Sequence, residues 1–219
     1  MLKDILSQSE AFPIMGTVLT YENALHISLN AIKTELLHRI SSNTSLLQIY
    51  IHEKIALSGK KYAYGGYLEL RNWYQRSPLF GENRNIHLAI DIWCNELHPI
   101  YAPYDAVVHS KNNNEGFGNY GPTIILQHQL SGITFYTLFG HLSSADLDKL
   151  AVGQSLKVSE LFAHVGNIEE NGEWPTHLHF QVIADIQNFE GDYPGVCSVE
   201  TLSFYKENCP DPNLILKIK

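Results

Sequence analysis

Two histidines stand two residues apart in the apolar run W-P-T-H-L-H-F-Q-V, residues 174–182. Read as a strand, the run puts His177, His179 and Gln181 on one side and Leu178, Phe180 and Val182 on the other. Two imidazoles in a row are costly on a buried face unless each is hydrogen-bonded or bound to something. Alone, the pair is compatible with a metal site and with satisfied or exposed histidines. A second stretch, I-H-L-A-I-D-I (86–92), read the same way turns His87, Ala89 and Asp91 to one face and Leu88, Ile90 and Ile92 to the core. The smallest side chain, Ala89, then separates an imidazole from a carboxylate, both good zinc ligands. A buried His–Asp hydrogen bond is the other reading. The third stretch is L-F-G-H-L-S (138–143), with His141 at the end of an apolar strand.

Together these stretches hold enough for metal-assisted hydrolysis. Two histidines and one aspartate form the three-ligand set of a catalytic zinc, with a fourth position for water. Two histidines then remain to manage protons and stabilise charge. The chain has no H-E-x-x-H, G-x-S-x-G or G-x-x-x-x-G-K-[ST], so helical zinc-protease, serine-hydrolase and nucleotide-hydrolase readings have no motif. Eleven histidines is a high count for 219 residues. His26, His38 and His52 sit in helical or polar context, and His98, His109 and His164 read as strand or turn residues. His128 ends a strand beside the candidate site without being a ligand. Cys94 reads as a small buried thiol, and Trp174 and Pro175 as packing residues or the wall of a groove.

Several elements must position these groups. Leu25, Leu29, Ile32, Leu36 and Ile40 recur at helical spacing, which predicts a helix from about Asn30 onward within 22–40. Thr44 or Ser45 caps a second helix through L-L-Q-I-Y-I-H-E-K-I-A-L, and Gly59 stops it. From about residue 85, short β-rich runs follow one another, punctuated by Gly116, Gly118, Gly121, Gly132, Gly153, Gly166 and Gly172. The tail, P-D-P-N-L-I-L-K-I-K, ends in a strand-like run. The expected fold is mainly β with an N-terminal helical segment (α+β), built on an antiparallel sheet or sandwich.

Composition narrows the partners. Net charge is −8 with scattered basic residues, which excludes a nucleic-acid surface. No apolar run approaches the ~20 residues of a membrane span, and M-L-K-D-I-L-S-Q-S-E lacks the apolar core of an export signal. Three cysteines without C-x-x-C spacing suit a reducing compartment, so a cytoplasmic protein is expected.

Across roughly residues 82–186 the ordered motifs resemble the lysostaphin/LytM-type zinc metallopeptidases, which have the duplicated-hybrid-motif β fold. The resemblance is carried by H-L-A-I-D (87–91), Y-A-P-Y-D-A-V-V (101–108), G-F-G-N-Y-G-P-T-I-I-L-Q-H (116–128), G-H-L (140–142), G-Q-S-L-K-V (153–158) and H-L-H-F (177–180). It implies Zn2+ on His87, Asp91 and His179, with His141 and His177 as the catalytic pair. It also implies a peptidase-like domain over 81–219, with a C-terminal extension, on which a helical segment 1–80 packs. The implied activity is hydrolysis of amide bonds in small-residue peptides, with a peptidoglycan cross-bridge or muropeptide as substrate. Two other readings stand beside it: a non-catalytic binding or regulatory domain of the same fold, and a zinc hydrolase of a small cytosolic amide. N-G-E-W-P-T before H-L-H-F differs from the G-x-S-x-G-P form of wall-cutting members. With Y-G-G-Y-L-E-L-R-N-W-Y (64–74) and D-Y-P-G-V-C, it resembles a branch also found fused to intracellular aminotransferase- and kinase-like domains.

Overall fold

A computed structural model describes residues 1–31, 35, 43–71 and 84–219. Its centre is an eight-stranded sheet. In spatial order the strands are β1 (Ala24–His26), β2 (Tyr62–Gly65), β4 (Ile90–Trp93), β11 (His177–Ile183), β8 (Ile133–Gly140), β7 (Gly121–Leu130), β6 (Ala106–Asn114) and β9 (Ser155–Leu156). Neighbours are antiparallel except β1 and β2. Two small antiparallel pairs flank it: β10 (Leu161–His164) with β5 (Pro99–Tyr101), and β12 (Val196–Cys197) with β3 (Ile86–His87). The fold is thus mainly β, as the run of short strands predicts.

The long hairpin at its heart follows from local chemistry. P-T-I-I-L in β7 and I-T-F-Y-T-L-F in β8 are rich in β-branched and aromatic residues. Ser131 and Gly132 join them with φ of 50° and 78°, the double positive φ of a two-residue hairpin turn. One sheet face buries Ile124, Leu126, Phe139 and Phe180. The other buries Ile125, Leu138 and Ile183 with Leu88. Across β2, β4, β11 and β8, Gly65, Asp91, His179 and Gly140 fall in one register row. This row is what brings a carboxylate from one strand beside an imidazole from the next.

Several sequence expectations need correction. The segment at 24–26 is a strand, not helix, and residues 29–31 form a single 3-10 turn; Ile32, Leu36 and Ile40 lie outside the described residues. Residues before 81 therefore contribute two sheet strands as well as helices. After a short first helix at Leu2–Gln8 (α1), the expected second helix forms at Thr44–Ser58 (α2), but its cap is Asn43, whose side chain accepts from the Leu46 N–H. Gly59 closes it at φ 68°, as expected. The stretch 86–92 is not one strand. Leu88 N–H donates to Gly195 O, so β3 pairs in a different sheet from β4. The tail forms a helical turn over Asn213–Leu216 instead of a strand. Cys94, Cys197 and Cys209 are buried free thiols, and burial pushes Cys94 up to about 12. No helix among the described residues is long and apolar enough to cross a membrane.

His128 lies in the core, away from the cleft. Its Nε2 is 2.7 Å from Thr137 Oγ1 and its ring stacks on Phe135. Burial pushes its pKa down to about 4. The unfolded chain, titrating near 6.5, therefore takes the proton first as pH falls. His128 contributes stability that is intact above about pH 6.5 and lost toward pH 4, about 3 kcal/mol over that window. Urea unfolding of wild type and His128→Gln at pH 7 and pH 4.5 checks this. The stability difference between them should move by about 2–3 kcal/mol in the variant's favour at the lower pH; a pH-independent difference contradicts it.

Candidate metal centre

The structure brings all five expected side chains to one cleft. His87 comes from β3, Asp91 from β4, His177 and His179 from β11, and His141 from the residue after β8. All are buried, at 2–5% exposure. His141 has φ of 61°, and its N–H donates to Tyr120 O. This left-handed turn bends the strand end so that the imidazole enters the cleft beside His177, ring centroids 4.3 Å apart.

Three donors converge in a triangle. His87 Nε2 is 3.2 Å from His179 Nδ1 and 3.4 Å from Asp91 Oδ1, and His179 Nδ1 is 3.3 Å from Asp91 Oδ1. A tetrahedral zinc bound to imidazole and carboxylate at about 2.0–2.1 Å separates its donors by roughly 3.3–3.4 Å. The triangle has that size. It is also the one cluster of three such groups among the described residues.

Hydrogen bonds fix which atoms are offered. His87 Nδ1 donates to Gly66 O at 3.0 Å, leaving a lone pair on Nε2. His179 Nε2 donates to Gln181 Oε1 at 3.1 Å, leaving a lone pair on Nδ1. The amide orientation follows from Gln181 Nε2, which donates to Pro194 O. Among the described residues, Asp91 Oδ1 is buried without a hydrogen-bond partner. Two lone pairs and a carboxylate oxygen thus face one point, an arrangement that repels itself unless a cation occupies it. Residues and geometry fit a divalent metal.

The electrostatics agree. Burial, then the nearby Arg71 guanidinium, hold His87 well below the usual histidine range, so the ring is neutral and able to ligate. Burial opposes an ionised Asp91, but its contacts with His87, Arg71 and His177, with Arg71 Nη1 at 2.7 Å from Oδ2, outweigh that and hold it well below the usual carboxylate range. His141 is pushed down by burial and by His177 and His179. His141 Nδ1 donates to Asn171 O at 2.9 Å and His177 Nδ1 to Pro175 O at 2.6 Å. Each ring therefore presents Nε2 to the cleft.

Beside the triangle lies a cavity of about 280 Å³. Trp174 and Pro175 form part of its wall, and Leu47 and Ile51 of α2 line another part. His128 does not line it. His98, His109 and His164 bond to Met15 O, Ser110 Oγ and Asp146, away from the centre. Sequence reasoning missed four contributors. Tyr120 packs on His179 at 4.9 Å between centroids, and glycines flanking a lone tyrosine in G-F-G-N-Y-G were its only signal. Gly66, Glu69 and Arg71 arrive from Y-G-G-Y-L-E-L-R-N-W-Y, a stretch read for the family branch it resembles and not for site residues.

Gly66 shows how tightly that segment is fitted. At φ 108°, a Cβ there would lie on Arg71 Nη2 and 2.8 Å from His87 Nδ1. Gly66→Ala should weaken zinc binding at least about tenfold, since it displaces the group that orients a ligand. Competition against a chromophoric chelator measures this; an unchanged affinity contradicts the fit.

A large, mostly antiparallel sheet carries at its cleft a buried His–Asp–His triangle that could hold a metal ion. Residues 85–190, just under half of the chain, match the model of peptidase family M23. The resemblance read from the motifs holds over that stretch, which contains all five site residues. No curated protein matches the chain. Among solved structures, the chain is similar to a zinc-containing peptidase from Vibrio cholerae, at 24% identity and a TM-score of 0.36, over 48% of this chain and 29% of that one. It is similar to the catalytic domain of lysostaphin from Staphylococcus simulans, at 15% identity and a TM-score of 0.43, over 73% and 97%. It is similar also to Csd3 of Helicobacter pylori, at 18% identity and a TM-score of 0.34, over 60% and 34%. The chain spans about a third of the length of the Vibrio and Helicobacter proteins. The family match and the His–Asp–His triangle support a zinc peptidase in general.

Proposed function

We propose that this protein is a zinc-dependent peptidase, with His87, Asp91 and His179 as ligands and His141 and His177 as the catalytic pair. The observation that carries the proposal is the triangle of donor atoms, of zinc size, with two further imidazoles beside it. A zinc ion held there would supply an electrophile for the scissile carbonyl and a nucleophilic water at neutral pH.

The chain's own residues do the rest. With Nδ1–H donated to a backbone carbonyl, each of His141 and His177 keeps its ring orientation and its tautomer. A neutral Nε2 accepts the proton of the attacking water; a protonated one donates to the developing oxyanion and then to the leaving amine. The 4.3 Å spacing of the rings lets one serve as base while the other stabilises charge. Burial and the neighbouring His177 and His179 favour the neutral form of His141.

The substrate we propose is a peptide with small residues near the cut, a peptidoglycan cross-bridge or muropeptide by family resemblance. The test is turnover of labelled glycyl peptides and purified muropeptides, with and without chelator. Cleavage lost with chelator and restored by zinc supports the peptidase. Binding without turnover supports the non-catalytic reading instead. Turnover of small cytosolic amides alone supports the third reading, and with it a cytoplasmic site of action.

A further inference from the structure

The two ligands His87 and Asp91 are held in place by residues outside the stretch that matches the peptidase family. Arg71 is 2% exposed and reaches two carboxylates at once. Its Nη1 donates to Asp91 Oδ2 at 2.7 Å and its Nε to Glu69 Oε2 at 2.9 Å. Glu69 is fixed in turn: its Oε1 accepts from Ser28 Oγ at 2.9 Å and from the Leu29 N–H at 2.7 Å. A continuous buried chain therefore runs from residues 28–29 through Glu69 and Arg71 to the carboxylate at the metal position. One turn earlier, Gly66 O receives His87 Nδ1.

A carboxylate can offer a metal one oxygen or two. Arg71 occupies Oδ2 from one side, so that Oδ1 alone faces His87 and His179. The planar guanidinium, anchored to Glu69 through Nε, aims Nη1 at Oδ2 and so restrains the Asp91 side chain, which a point charge on a flexible stem does not. Glu69 balances the guanidinium, so that a buried cation beside the metal position is not left uncompensated.

We infer that Arg71, anchored by Glu69, is the positioning residue of the metal centre, and that it makes Asp91 a one-oxygen ligand. This rests on the zinc reading of His87, Asp91 and His179. The segment 62–71 is then a working part of the centre, although it lies outside the family match.

The test uses the full chain, freed of metal and refilled. Zinc affinity is measured by chelator competition for wild type, Arg71→Met and Arg71→Lys. The cobalt(II) form of each is also recorded in the visible range. Wild type should bind about one zinc per chain, and Arg71→Met about 10–100-fold more weakly, the usual loss when a partner of a metal ligand is removed. Arg71→Lys should also lose at least about tenfold, because an ammonium cannot bridge Glu69 and Asp91 with a planar fork. The cobalt bands of both variants should weaken as Asp91 swings to two-oxygen coordination and the tetrahedral geometry is lost. If Arg71→Met fails to fold, Arg71→Lys decides by the same two readouts. Zinc affinity within twofold of wild type and an unchanged cobalt spectrum overturn the role of Arg71 while leaving the metal centre standing. A wild type that binds no zinc removes the centre itself, and the inference with it.

Discussion

His179→Ala should abolish stoichiometric zinc binding and, with it, peptide hydrolysis. The residue sits at the centre of the register row, between Asp91 on β4 and Gly140 on β8. Its Nδ1 is within 3.3 Å of both other donors, so its loss opens one corner of a three-cornered site. Two ligands do not hold zinc against dilution, and occupancy should fall from about one to less than about 0.1 per chain. The metal's share of transition-state stabilisation is several kcal/mol, so the rate should drop about a thousandfold or more. The fold should survive, because Leu178 and Phe180 on the other face of β11 carry the packing. Atomic absorption on the purified variant, with its circular dichroism beside wild type, separates loss of metal from loss of structure. A folded variant with full zinc would remove His179 from the ligand set.

His141→Ala and His177→Ala should give the opposite combination: full zinc and little turnover. Neither Nε2 belongs to the triangle, although His177 Nε2 lies 3.5 Å from Asp91 Oδ1. Each should cost about 10²–10⁴ in kcat, the usual range for a group that moves a proton in the transition state. The loss should fall on kcat more than on KM, because these rings meet charge that develops only as the bond breaks. The double variant should be little slower than the slower single one, since the two rings act as a unit. Zinc content well below wild type in either variant would show that it is a ligand; kcat within a few fold of wild type would show that it is a bystander.

The parts of this centre that were legible in the sequence are those written in short-range pattern. Alternation along 177–182 separates the site face from the core face, and the structure keeps that separation along β11. His87 and Asp91 converge as the spacing suggests, but by another route. The chain leaves one small sheet after His87 and joins the large one at Ile90, so they meet across a break and not along one strand. Alternation cannot report such a break, because Leu88 is buried on either path.

What was not legible is non-local. β1 and β2 are three and four residues long, too short for a period to declare itself. Apolar residues at helical spacing between Leu25 and Ile40 overrode them, although Leu25 sits in a parallel pair opposite Ala63. Glu69 and Arg71 stand among the tyrosines, glycines and leucines of Y-G-G-Y-L-E-L-R, where no spacing marks them as partners of a site residue. Only the pairing of β2 with β4, which sets Gly65 opposite Asp91, carries that stretch to the metal position. A buried arginine is unusual enough to signal a partner, but its burial is a property of the folded chain.

Anomalous diffraction at the zinc absorption edge, on crystals of the zinc-loaded protein, asks directly whether His87, Asp91 and His179 hold one zinc ion with His141 and His177 beside it. One strong peak is expected about 2.0–2.2 Å from His87 Nε2, Asp91 Oδ1 and His179 Nδ1 together. A peak held by any other set of residues, or no peak in that cleft from protein shown to contain zinc, would contradict it.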